Sequence, residues 1–102
     1  MNRASNMPHF QITTPAGQEM PLVDLDRLPL QIGRGADMDL QLDDGSVSRL
    51  HALVTSAAER FWIEDNDSLN GVWVNGKRIT QRVELNNRDR IMLGDFEVVF
   101  LT

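Results

Sequence analysis

Turn-forming residues punctuate this chain from near its start to its end: Pro15-Ala16-Gly17, Gly33-Arg34-Gly35, Asp43-Asp44-Gly45, Asn70-Gly71 and Asn75-Gly76. Between them lie short runs that read as strands. These are His9–Thr13, Pro21–Leu25, Leu28–Gly33, Met38–Leu42, His51–Ser56, Arg60–Glu64, Gly71–Val74, Lys77–Thr80, Asp89–Leu93 and Glu97–Leu101. Several alternate apolar with other residues, as a half-buried strand does; Leu28-Leu30-Ile32, Met38-Leu40-Leu42 and Phe61-Ile63 are examples. Turns spaced about eight to twelve residues apart between such runs point to an all-β sandwich or barrel. Asn75-Gly76, set between Val72-Trp73-Val74 and Lys77-Arg78-Ile79, is a hairpin signal. A type I′ turn needs positive φ at both central residues, which Asn and Gly tolerate best. No segment sustains a 3.6-residue period, so helix is expected to be scarce.

At 102 residues, 41% of them hydrophobic, the chain has the size of one small domain with a packed core. No run approaches the roughly 18 apolar residues that a membrane-spanning helix needs, and no secretory signal is visible. The absence of cysteine removes disulfides and thiolate metal sites. These features lead to an expectation of a cytoplasmic protein, monomeric, or a module of a larger one. Residues 1–7 read as a loose tail or an expression remnant, and the domain is expected over 8–102.

The net charge of −5 argues against duplex nucleic acid as a partner, which calls for a basic face. Nine of the ten cations are Arg. Either the host favours Arg, or the planar forks serve to hold a phosphate or carboxylate through paired hydrogen bonds.

Four fragments place polar groups in the loops. Arg34 lies between two glycines at the end of a run, its guanidinium unobstructed. Ser48 and Arg49 precede His51, which opens an apolar run. Asn70 brings an amide donor and a carbonyl acceptor in front of Val72. Each fragment also has a purely local reading: a solvated Arg, a Ser capping its own turn, a His fixing a loop, an Asn-Gly turn.

Enzyme readings fail. Ser48 and His51 stand three residues apart without a nucleophile-elbow sequence, and a small sandwich leaves little room for a substrate cleft. The Asp-rich stretches 37–45 and 65–71 miss the calcium-loop spacing. His9 and His51 belong to separate runs, so no zinc site is expected. No cofactor is expected.

Taken in order, Gly33-Arg34, Ser48-Arg49-Leu50-His51, Ser68-Leu69-Asn70-Gly71 and Asn75-Gly76 resemble the forkhead-associated (FHA) domain. Asp39-Leu40-Gln41-Leu42, Ile63-Glu64-Asp65 and Asp89-Arg90-Ile91 with Leu93-Gly94 add to the likeness, which covers roughly residues 28–101. The resemblance implies a two-sheet β-sandwich of about eleven strands, with the binding loops at one end. It implies a non-catalytic signalling module that recognises phosphothreonine in extended peptides of partner proteins, downstream of a Ser/Thr kinase. Arg34, Ser48, Arg49 and Asn70 would contact the phosphopeptide. Gly33, His51, Leu69, Gly71 and Asn75 would shape the site. Leu69 departs from the family, where a Thr hydroxyl is frequent, and Asn86-Asn87-Arg88 replaces a usual glycine turn. The alternative is a phosphorylation-independent assembly domain, motivated by Leu69, Val72 and Trp73.

Overall fold

The computed structural model describes residues 7–102, so the tail expected over 1–7 lies, apart from Met7, outside the described residues. Among these residues there are eleven strands and no helix. They are β1 (His9–Thr13), β2 (Val23–Asp24), β3 (Leu30–Gly33), β4 (Leu40–Gln41), β5 (Ala52–Ala57), β6 (Arg60–Asp65), β7 (Val72–Val74), β8 (Lys77–Arg78), β9 (Val83–Leu85), β10 (Arg90–Leu93) and β11 (Phe96–Leu101). One sheet runs β2-β1-β11-β10-β7-β8 and the other β4-β3-β5-β6-β9. The all-β sandwich expected from the turn cadence is what forms.

Alternation drives the packing. In β11, Phe96, Val98 and Phe100 turn inward while Glu97, Val99 and Leu101 alternate with them. Phe10 and Ile12 of β1 join them from the same sheet, and Ile32, Ala52, Val54 and Ile63 face them from the other. The rings of Phe10 and Phe100 meet edge to face at 6.2 Å, and Phe61 leans on Phe100 from the second sheet at 5.7 Å. Burying each of these large side chains contributes about 1.5–3 kcal/mol, so this layer carries the sandwich.

The strands differ from the expected runs mainly at sheet edges. Pro21–Leu25 narrows to Val23–Asp24 and Leu28–Gly33 begins at Leu30, since Pro21 and Pro29 have no N–H to give a ladder. Met38–Leu42 narrows to Leu40–Gln41, which pairs parallel to β3. Lys77–Thr80 stops at Arg78 because Ile79 turns into the core, its N–H still donating to the Val72 carbonyl at 2.9 Å. Strand β9 is too short for its period to show in sequence; its partner β6 defines it, through Phe61↔Leu85 and Ile63↔Val83. At Asn86-Asn87-Arg88 the missing glycine is replaced by Arg88 itself, at φ 77°, with Asp89 Oδ2 accepting from the Asn86 N–H at 2.7 Å.

Asn75 and Gly76 adopt φ of 52° and 85°, the expected I′ hairpin. The turn between β5 and β6 does the same with Ala58 at 56° and Glu59 at 63°. Neither side chain favours that region, which costs a non-glycine residue about 1–2 kcal/mol. Replacing the pair by Asn-Gly (A58N/E59G) is therefore expected to stabilise the domain by about 1 kcal/mol. A thermal melt should rise by about 4–8 °C; an unchanged or lower midpoint would contradict this account of the turn.

Strands β3, β6 and β10 end, and β5, β7 and β11 begin, at one end of the sandwich. The connections that meet there include 34–39, 42–51, 66–71 and the tight turn Gly94-Asp95.

Candidate functional site

The first two of these connections are stitched together along their backbones. Arg34 N–H donates to the Ser48 carbonyl at 2.9 Å and Gly35 N–H to the Arg49 carbonyl at 3.1 Å. The approach is close enough that a Cβ on Gly33 would stand 2.1 Å from the Arg49 carbonyl oxygen. Only glycine fits there. A Cβ on Gly35 would likewise come within 3.1 Å of Arg49 Cγ, so the Arg49 stem lies along that glycine.

Arg34 is exposed, yet its head is held. Its Nε–H donates to the Val47 carbonyl at 3.0 Å, and its own carbonyl accepts from Gln41 Nε2 at 3.1 Å. Four N–H groups on the two terminal nitrogens remain for a ligand. Ser48 is half-buried, and its Oγ accepts from the Leu69 N–H at 3.0 Å. That bond uses a lone pair and leaves the hydroxyl proton to donate.

His51 is completely buried and ties the second loop to the third. Ser48 N–H donates to Nδ1 at 3.0 Å, so the opposite nitrogen carries the hydrogen, and Nε2–H donates to the Gly71 carbonyl at 2.8 Å. Ser68, also buried, closes the third loop on itself. Its N–H donates to Asp65 Oδ1 at 3.1 Å and its Oγ accepts from the Gly71 N–H at 2.9 Å. Gly71 itself sits at φ +82°, the left-handed region.

Asn70 is exposed and anchored from both sides. Its Nδ2 donates to the Ser46 carbonyl at 2.8 Å, and its backbone carbonyl accepts from Trp73 Nε1 at 3.0 Å. The Oδ1 carbonyl is left open among the described residues. Ser46 is fixed in turn. Its hydroxyl donates to Asp44 Oδ2 at 2.7 Å, its N–H donates to the same oxygen at 2.9 Å, and its Oγ accepts from the Asp95 N–H at 2.9 Å. The Ser46 hydroxyl, followed by its N–H, holds the Asp44 carboxyl below the usual carboxylate range, against slight desolvation. Gly94 permits this contact, since a Cβ there would stand 2.5 Å from the Ser46 carbonyl.

Of the residues singled out by sequence, Gly33, Arg34, Ser48, Arg49, His51, Asn70 and Gly71 come together at this end. Leu69 joins through its backbone while its side chain is 84% exposed. Asn75 does not join them. It lies at the other end of β7, where Nδ2 donates to Asp89 Oδ1 at 2.9 Å and Oδ1 accepts from the Arg90 N–H at 3.0 Å. Val72, considered for partner contact, is wholly buried in the core. Sequence reasoning missed Asp44 and Ser46, whose part depends on bonds across as many as 49 residues. It quoted Ser68 without giving it a part.

Arg34 and Arg49 border a shallow hollow of about 430 Å³ that also includes Asp37 and Asp43. A different hollow, at the connection 79–82, sets Glu64, Asp65 and Asp67 against one cation, Arg82, and so has the wrong net sign for an anion. The cluster thus offers a guanidinium fork, a hydroxyl proton and a carboxamide within adjoining loops. This donor set suits a tetrahedral dianion on a peptide.

The family model described as "FHA domain" matches residues 30–94. The chain belongs to the FHA domain family. Its relatives include the glycogen accumulation regulator GarA of Mycolicibacterium smegmatis, 41% identical over 78 residues that make up 76% of this chain and 49% of GarA. The chain spans about half the length of such curated relatives. Mycobacterium tuberculosis EmbR, solved in complex with a low-affinity phosphopeptide, superposes with a TM-score of 0.77 at 34% identity, over 91% of this chain and 24% of EmbR. The FHA domain of a Chlamydia trachomatis protein superposes at 0.84 with 25% identity, covering 94% and 97% of the two chains. No helix among the described residues is long and apolar enough to cross a membrane.

Proposed function

We propose that residues 8–102 form a non-catalytic module that binds phosphothreonine in extended segments of partner proteins, and so acts downstream of a Ser/Thr kinase, in the cytoplasm. The observation that carries this reading is the immobilised Arg34 head. Its Nε–H is occupied by Val47 and its backbone is bonded to Ser48, so the free end of the fork stands beside the Ser48 loop. In this reading Arg34 pairs with the phosphate and the Ser48 proton adds a bond to it. Arg49 contributes a further phosphate or peptide contact. Asn70 presents Oδ1 to the peptide main chain, and Gly33, His51, Leu69 and Gly71 keep the loops in place.

The energetics are adequate. A phosphothreonine carries about −1.5 to −2 charges near neutrality, and each hydrogen bond to a charged group contributes about 1.5–3 kcal/mol. Two or three of them with a few peptide contacts reach about −8 kcal/mol, a micromolar Kd. With Leu69 in place of a threonine, one such hydroxyl contact is absent, at a cost of about 1 kcal/mol.

A phosphothreonine peptide library, titrated by calorimetry against unphosphorylated twins, tests the reading. At least one sequence is expected to bind about tenfold or more tighter when phosphorylated. If every pair binds alike, the proposal fails. The second reading, a phosphorylation-independent assembly domain, is favoured by one observation: Leu69, Trp73 and Met92 are 84%, 38% and 36% exposed. A partner captured equally well before and after phosphatase treatment would select it.

A further inference from the structure

Arg78, in β8, stands opposite Trp73 in the sheet register. Its head group rests on Gly71. A Cβ built on that glycine would lie 2.5 Å from Arg78 Nε and 2.9 Å from Cζ, so the guanidinium fills the space a side chain would take. Gly71 directly follows Asn70, and Trp73 donates its indole N–H to the Asn70 carbonyl. Asn70, Trp73 and Arg78 are therefore exposed around the buried Gly71, next to the loops described above.

Four other arginines have partners, while the side chains of Arg27, Arg49 and Arg88 have none among the described residues. Arg60 pairs with Glu84 and Arg90 with Glu97, Arg82 lies 4.3 Å over the Trp62 ring, and the Arg34 Nε–H is bonded to Val47. Arg78 is exposed and has neither a hydrogen bond nor an ion pair among the described residues. A guanidinium positioned by packing loses less conformational freedom when it takes up a partner than a freely moving one does. Because the chain as a whole carries −5, attraction for a further anion has to come from such a local cation.

We propose that Arg78 is a specificity-determining residue that receives an acidic side chain of the ligand, on the flank of the phosphothreonine peptide that runs on beside Asn70. This rests on the phosphothreonine reading above. Arg78 makes no contact with the phosphate; it ranks phosphorylated sequences by the charge of their flank.

The test scans Glu through the positions on either side of the phosphothreonine, each peptide paired with its Gln twin, against the wild-type chain, Arg78→Met and Arg78→Gln. Met keeps an apolar stem over Gly71 and removes the charge. At one position the Glu peptide is expected to bind wild type about three- to fivefold tighter than its twin. Both variants should abolish that preference while binding the Gln twin as wild type does. Salt at about 0.5 M should shrink the preference in the wild type. Equal weakening for Glu and Gln twins means that Arg78 only packs on Gly71, and overturns the inference. So does a scan with no preference for Glu at any position. In both cases the phosphothreonine reading survives as long as phosphorylated peptides outbind their unphosphorylated twins; if they do not, both fall together.

Discussion

Arg34→Ala is expected to remove measurable binding of a phosphothreonine peptide while leaving a folded domain. The residue is exposed, so its truncation opens no cavity, and the fold loses only the bond from Nε–H to the Val47 carbonyl. Such a bond contributes about 0.5–1.5 kcal/mol. The ligand loses far more. Two charge-assisted bonds from the fork amount to about 3–6 kcal/mol, enough to turn a micromolar Kd into a millimolar one. Arg34→Lys should recover only part of the loss, because an ammonium keeps the charge without the paired geometry. Calorimetry on the phosphopeptide, with a thermal melt of each variant, separates the two effects. A Kd within about threefold of wild type in a folded Arg34→Ala domain would exclude this residue as the phosphate ligand.

His51→Leu is expected to act in the opposite order, on stability first and on binding as a consequence. His51 is fully buried between two loops. Leucine approximates its volume and offers no nitrogen. The Ser48 N–H then loses its acceptor and the Gly71 carbonyl its donor. Each buried polar group left unpaired costs about 1–3 kcal/mol, so the total is about 2–6 kcal/mol. For a domain of this size that is a fall of about 8 °C or more in Tm. Urea unfolding should show the lower midpoint with an unchanged slope. Binding should weaken in the variant even where it is fully folded, because the Ser48 loop and the Gly71 loop are no longer held to each other. A variant as stable as wild type would mean that the ring is not the tie between them.

Much of the architecture was legible in the sequence because its determinants are local. Alternation in Phe96–Leu101 and a two-residue Asn75-Gly76 turn are properties of a few adjacent residues, and they set strand and hairpin wherever the chain goes. The edges were less legible. Val83–Leu85 becomes a strand because Arg60–Asp65 offers it a free edge, and Ala58-Glu59 forms a I′ turn that its residue types disfavour because the strands on both sides demand it. In each case tertiary pairing outweighs a local preference of about 1–2 kcal/mol or less per residue.

The site divides along the same line. The motifs Gly33-Arg34, Ser48-x-x-His51 and Ser68-x-Asn70-Gly71 identified the donors, since chemistry of that kind belongs to residue types. The sequence by itself determined an all-β chain of the FHA family and the groups available to meet an anion. Only the tertiary structure decided which of those groups are spent and which are free. His51 is spent on Ser48 and Gly71, the Asn70 amide on Ser46, and the Arg34 Nε–H on Val47, whereas the Ser48 proton and the rest of the Arg34 fork remain available. Asn75 left the group and Arg78 came alongside it for the same reason. Most of these bonds join residues 13 to 24 positions apart, across loops that meet only when the two sheets pack, so no local spacing could have announced them.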